Sequence, residues 1–181
     1  MAREIERKFL VRDTRILDGR TGDRIVQGYL AKAQGEMSSR VRIRAERAFL
    51  TLKAARHGFS LARDEFEYPI PLADARQILA LHCADRIVRK TRYLIEFAGF
   101  VFEVDVFEGR HSGLILAEAE LPHENAALPL PPWIGEEVTH DRRYGNFSLA
   151  LLEGGGLPAD GWSMAEERAA ASSLLSRPGS Q

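Results

Sequence analysis

Charged side chains recur at every second position along much of this chain, and this alternation constrains the fold more than any other feature. In the strand predicted for residues 4–10, Glu4, Glu6 and Lys8 share one parity. Successive side chains of an extended segment point to opposite faces, so these three charges lie on one face of a strand. Two carboxylates and one ammonium leave that face poorly neutralised. The pattern fits either a solvated strand face or a face that binds cations.

The same alternation predicts further strands, separated by turn residues. They span residues 24–30, 39–44, 49–53, 63–70, 86–97, 100–107 and 114–121. Residues 72–81 instead place apolar side chains at helical spacing, which predicts one amphipathic helix packed on the apolar face of the strands. Residues 143–152 predict a short helix, and the triple glycine at 154–156 marks a boundary after it.

The charges in phase on these strands are sorted by sign, strand by strand. They are Glu4, Glu6 and Lys8; Arg40, Arg42 and Arg44; Lys53; Arg63, Glu65 and Glu67; Lys90 and Arg92; Glu103 and Asp105; Glu118 and Glu120. An exposed sheet face usually mixes both charges with neutral polar residues. If the strands are antiparallel and close on themselves, the charged faces line one interior. An open sheet whose apolar face is covered by the helix would produce the same alternation.

A charged interior requires ligands, because moving unpaired ions out of water costs several kcal/mol each. Carboxylates select hard divalent cations such as Mg²⁺ or Mn²⁺, whereas arginine and lysine clusters select phosphate oxygens. A ligand with several linked phosphates and its own metal ion satisfies both groups. The sequence therefore predicts metal-assisted phosphoryl transfer to water.

Composition narrows the classes of protein further. The chain has 181 residues, of which 45% are hydrophobic, and a formal net charge of -1. This predicts one domain, or one domain with an appendage, and argues against the basic field of a nucleic-acid binder. No apolar run reaches the length of a spanning helix, so we expect a cytoplasmic protein with no membrane partner. The single cysteine, Cys83, excludes an intrachain disulfide.

The ordered set of charged motifs resembles the CYTH superfamily, the triphosphate tunnel metalloenzymes. The resemblance rests on Glu4-x-Glu6-x-Lys8, Arg40-x-Arg42, Lys53, Arg63-x-Glu65-x-Glu67, Lys90-x-Arg92, Glu103-x-Asp105, Glu118-x-Glu120 and the closing segment 134–146. It implies a mainly β, α+β fold, a closed eight-stranded antiparallel barrel or tunnel with flanking helices. Residues 1–153 would form this domain. Residues 154–181, a glycine-rich hinge and a helical tail, lie outside the resemblance.

The resemblance also implies roles for individual residues. The metal ligands would be Glu4, Glu6, Glu118 and Glu120, with Glu65, Glu67, Glu103 and Asp105 as further candidates for metal or water positioning. The triphosphate would be bound by Lys8, Arg40, Arg42, Lys53, Lys90 and Arg92. Lys8, in hydrogen-bonding partnership with Tyr29, would orient or activate the attacking water.

The implied activity is hydrolysis of inorganic tripolyphosphate to pyrophosphate and phosphate with Mg²⁺ or Mn²⁺. The alternatives are hydrolysis of a nucleoside triphosphate such as ATP or of thiamine triphosphate, adenylate cyclase activity, and a non-catalytic module that binds polyphosphate or nucleotides. The charged set includes no aromatic or amide group suited to binding a nucleobase or a thiazolium ring, which favours the inorganic substrate. The repeated acidic pairs count against the non-catalytic module. A homodimer is left open.

Overall fold

The computed structural model describes residues 2–30, 37–55, 63–83 and 85–152, so the predicted hinge and helical tail lie outside the described residues. The strands are β1 (Ala2–Glu4), β2 (Glu6–Val11), β3 (Asp23–Tyr29), β4 (Met37–Arg44), β5 (Arg47–Ala55), β6 (Arg63–Ile70), β7 (Ile87–Phe97), β8 (Phe100–Phe107), β9 (Ile115–Glu120) and β10 (Ile134–Glu137). The helices are α1 (Leu72–His82) and α2 (Asn146–Leu151). No helix in this part of the chain is long and apolar enough to cross a membrane.

All strands belong to one antiparallel sheet in the order β1-β6-β5-β4-β3-β7-β8-β9-β2-β10. Neighbours in the middle of this order are mostly hairpin partners. The β4–β5 hairpin, for example, turns through Ala45, whose positive φ of 50° is the strained left-handed conformation. The predicted mainly β, antiparallel architecture is therefore confirmed.

The sheet differs in one respect from the predicted closed barrel of eight strands. Among the residues that the structure describes, its hydrogen-bonded order has ten strands and two ends, so it is not a closed ring. The N-terminal strand is divided at Ile5, because β1 pairs with β6 while β2 pairs with β9. One extended segment thus joins strands from both sides of the sheet. The tenth strand, β10, adds to β2 on its other side.

Hydrocarbon covers the outer face of this curved sheet. One apolar cluster places Ala75, Leu79 and Cys83, from α1 and its C-terminal end, on Val41 of β4. Gly28 permits this approach, because a Cβ at that position would lie 2.6 Å from Cys83 Cβ. A second cluster on the β2–β9 side includes Trp133, which packs edge-on against Phe102 at 5.4 Å between ring centroids. The alternate, mostly polar side chains of the strands consequently face inward.

Candidate active site

The inward face of the sheet encloses a cavity of about 470 Å³. Its lining residues are Glu6, Gln27, Arg40, Arg42, Arg44, Glu65, Glu67, Lys90, Arg92, Val101, Glu103, Glu118, Glu120 and Asn146. Strands from both halves of the sheet order contribute to this lining, so the sheet wraps around the charged face. The interpretation of the charges as an exposed, open sheet face is therefore wrong.

Cations from the middle of the sheet are paired with carboxylates of β6. Arg42 Nη2 lies 2.8 Å from Glu67 Oε2, which also accepts a hydrogen bond of 2.9 Å from Thr51 Oγ1. Lys53 Nζ lies 3.3 Å from Glu65 Oε2, in register across β5 and β6. The charges that are sorted by strand in the sequence are thus brought opposite each other by strand pairing.

Two buried guanidinium donors on β4 have no protein partner among the described residues. These are the Nε groups of Arg40 and Arg42. Burial and the neighbouring charge of Arg40 lower the pKa of Arg42, although Glu67 opposes that shift. A buried donor without an acceptor is costly, and a polyanion in the cavity would supply acceptors. Arg40 and Arg42 therefore have the properties of an anion-binding pair.

Asp105 lies behind the cations of β7 and is fully buried. Its carboxylate accepts hydrogen bonds from Arg92 Nε at 2.6 Å and Arg92 Nη2 at 2.5 Å, and pairs with Lys90. Burial lowers the pKa of Lys90 to about 8 despite this pairing. Burial also disfavours the charge of Arg92, but Asp105, Glu118 and Glu103 together outweigh it and raise the pKa of Arg92 well above its ordinary value. Asp105 thus holds two cations in place against the cavity.

Lys8 projects from β2 toward Glu118 on the adjacent strand β9. Its Nζ lies 2.7 Å from Glu118 Oε1 and 3.8 Å from Glu6 Oε1. The segment around β10 fixes the backbone of Lys8, because Thr139 Oγ1 accepts a hydrogen bond from its N–H at 3.0 Å. Glu118 also pairs with Arg92 at 3.1 Å. Burial alone would raise the pKa of Glu118, but these cations hold it well below its ordinary value.

This pairing predicts how the acid stability of the protein depends on Glu118. Its pKa is lower in the folded than in the unfolded chain, so its ionised form adds stability above the ordinary value of 4.5. That stability is lost as the pH falls through the folded-state pKa. With divalent metal removed by chelator, Glu118→Gln should weaken the fall in the free energy of unfolding between about pH 5 and 3. Denaturant titrations at each pH measure this.

Glu136→Gln is the matched control, since it removes an exposed carboxylate of β10. It should leave the acid dependence of the wild-type protein unchanged. An equally steep fall in Glu118→Gln would show that the Glu118 pairing does not stabilise the folded chain.

Tyr29 is buried next to this site rather than on the cavity wall. Its hydroxyl accepts a hydrogen bond from Gln27 Nε2 at 3.4 Å, and its ring packs edge-on against Phe147 at 5.1 Å. Burial raises the pKa of the Tyr29 hydroxyl, although Arg40, Lys53 and Lys8 act in the opposite direction. The hydroxyl therefore stays protonated near neutral pH and can donate a hydrogen bond.

Three of the predicted metal ligands, Glu6, Glu118 and Glu120, lie on the paired strands β2 and β9. Glu6 lies directly opposite Glu120 in the strand register, and Glu118 pairs with the next inward position of β2. Like charges directly opposite each other destabilise a sheet unless a cation lies nearby. Within the described residues, no three side chains of histidine, cysteine, aspartate or glutamate converge as a ready-made metal site. The side chain of Glu4, a predicted ligand, lies outside the described part of the chain.

Sequence reasoning missed several residues of the cavity and its surroundings. Gln27 lies two residues before Tyr29, and Thr51 lies two residues before Lys53. Each therefore points to the same strand face as a predicted site residue, and the alternation could have identified it. The alternation did place Arg44 on the charged face, without a role in the site; it lines the cavity and is held by Asp23 at 2.8 Å. Asn146 comes from a helix, for which the strand alternation carries no signal.

Comparisons with known proteins agree with this architecture. A family model described as the CYTH domain matches residues 2–153. An inorganic triphosphatase of Acetivibrio thermocellus is 42% identical over 149 residues, which cover 82% of this chain and 94% of that protein. An inorganic triphosphatase of Nitrosomonas europaea is 41% identical over 152 residues, covering 82% and 97%. The crystal structure of the inorganic triphosphatase NE1496 matches with a TM-score of 0.63 at 38% identity, covering 84% of this chain and 97% of that one.

Proposed function

The chain belongs to the CYTH domain family, and from this premise and the charged cavity we propose that it is a metal-dependent triphosphatase. Its substrate is inorganic tripolyphosphate, which it cleaves to pyrophosphate and phosphate. The alignments with this chain cover 94% and 97% of the two similar proteins that are named inorganic triphosphatases. That likeness favours a small inorganic triphosphate over ATP or thiamine triphosphate.

The observation that carries the proposal is the pair of unpartnered, buried guanidinium donors of Arg40 and Arg42 beside the cavity. A linear triphosphate offers many oxygen acceptors along one direction. Guanidinium groups match such oxygens geometrically and remain charged at any pH near neutrality. Lys53, Lys90 and Arg92 complete the cationic side of the binding site.

Glu6, Glu118 and Glu120, with Glu4, would hold the divalent ion. Mg²⁺ or Mn²⁺ suits such carboxylate donors, and when bound it neutralises phosphate charge and orients the reacting oxygens. Glu65, Glu67 and Glu103 are further candidates on the cavity wall. Asp105 is fully buried behind the cations, so we assign it to positioning Lys90 and Arg92 instead.

We assign to Lys8 the role of orienting or activating the attacking water. Its ammonium lies 2.7 Å from Glu118 and 3.8 Å from Glu6, two of the carboxylates that would hold the metal ion. Tyr29, whose hydroxyl stays protonated, acts with Lys8 in orienting the water. Charge neutralisation and positioning account for most of the catalysis in phosphoryl transfer, so no covalent protein intermediate is required.

Phosphate release tests this function. Purified protein is mixed with tripolyphosphate, ATP, thiamine triphosphate or pyrophosphate, each with Mg²⁺, Mn²⁺ or chelator. We expect the highest kcat/KM with tripolyphosphate, accumulation of pyrophosphate, and no turnover in chelator. Binding of tripolyphosphate without any phosphate release would identify a non-catalytic module. Formation of cyclic AMP from ATP as the main reaction would identify a cyclase.

A further inference from the structure

Asn146 is the only residue of the cavity lining, in the part of the chain that the structure describes, that comes from a helix. It is the first residue of α2, which contacts β7 and β3. The helix is firmly seated, because Leu149 and Ala150 are fully buried and Phe147 packs against Tyr29. A side chain on this helix therefore has a fixed position relative to β7.

The contact that Asn146 makes is with Lys90. Asn146 Oδ1 accepts a hydrogen bond of 3.2 Å from Lys90 Nζ, and the same ammonium pairs with Asp105. The ring of Phe107 lies 5.3 Å from Nζ. An ammonium has three donors in tetrahedral arrangement. Once Asp105 and Asn146 accept two of them, the direction of the third is also determined.

The amide is chemically suited to this task. A lysine ammonium can only donate, so the atom of Asn146 that faces it must be the oxygen. A carboxylate here would bind Lys90 more strongly but would add a negative charge to a cavity that must accept a polyanion. An amide accepts the hydrogen bond without that charge, so Lys90 keeps its attraction for phosphate.

We propose that Asn146 is a positioning residue for substrate binding, an inference that rests on the proposed function. Its oxygen, together with Asp105, orients the Lys90 ammonium so that the third N–H meets a phosphate oxygen. This role extends the binding site from the sheet to α2. It also gives α2, which carries no charged side chain, a part in substrate binding.

Steady-state kinetics with tripolyphosphate test this assignment through Asn146→Leu, which keeps the volume and removes the acceptor. Because a hydrogen bond to a charged group is worth about tenfold in affinity, KM should rise about tenfold while kcat stays within about twofold. Ser148→Ala, on the same helix, is the matched control and should keep wild-type values. Thermal unfolding of both variants monitors the seating of α2, and Asn146→Ala provides a smaller substitution should the leucine variant fail to fold.

A double-mutant cycle with Lys90→Met separates positioning from a structural role. If Asn146 acts through Lys90, Asn146→Leu should change KM less than about twofold in the Lys90→Met background. An equal factor in both backgrounds, or an unchanged KM in the single variant, would overturn the role of Asn146 alone. Absence of phosphate release by the wild-type protein would instead overturn the proposed function, and the role of Asn146 with it.

Discussion

Replacing Lys8 with alanine is expected to lower kcat for tripolyphosphate about 100-fold to 1,000-fold, the loss typical when a preorganised charge is removed from a reacting centre. KM should change by less than about fivefold, because Arg40, Arg42 and Lys53 still bind the phosphates. The physical reason is the location of the ammonium. Lys8 lies 2.7 Å from Glu118, next to the carboxylates proposed to hold the metal ion, rather than among the arginines of β4.

Lys53→Ala is the matched comparison for this prediction. Both substitutions remove one lysine ammonium from the inward face. Lys53, however, lies on β5 and pairs with Glu65 of β6, whereas Lys8 lies on β2 opposite Glu118 of β9. We expect Lys53→Ala to raise KM more than it lowers kcat. Lys8→Met, which keeps most of the aliphatic stem, controls for lost packing. A raised KM with unchanged kcat in Lys8→Ala would make Lys8 a binding residue.

The alternation of charges predicted the strands and their inward face, because side-chain parity in an extended chain is a local property. The helix predicted for residues 72–81 is likewise observed as Leu72–His82. The division of the first strand at Ile5 was beyond such reasoning, since the parity of Glu4 and Glu6 is the same in one strand or two. The strand β10 was missed because it has four residues and follows a proline-rich run.

The partners of each charge were also not predictable from parity. The sequence suggested carboxylates in one group and cations in another, ready for metal and phosphate. Strand register instead pairs Arg92 with Asp105 and Lys8 with Glu118. Register depends on turns and long-range pairing, which the spacing of residues within one strand does not encode. The charges around the cavity consequently pair with one another, and a bound triphosphate or metal ion would exchange partners with these ion pairs.

Arg92 is the centre of this internal neutralisation. It is 7% exposed and contacts three carboxylates, those of Asp105, Glu118 and Glu103. Asp105 is 0% exposed, so water cannot replace the hydrogen bonds that Arg92 donates to it, although its pairing with Lys90 remains. Breaking a buried ion pair by removing one partner usually costs about 3–5 kcal/mol, because a buried charge is left uncompensated.

Arg92→Met should therefore lower the free energy of unfolding by about 3–5 kcal/mol, measured by urea denaturation in the presence of chelator. The control is Arg44→Met, which removes another inward arginine whose partner, Asp23, is 48% exposed. Because exposed ion pairs contribute little, that variant should lose less than about 1 kcal/mol. Adding Asp105→Asn to Arg92→Met should restore part of the loss, because it removes one of the three carboxylates whose charge Arg92 compensates. Equal losses in the two single variants would mean that Arg92 does not hold the carboxylates of the cavity together.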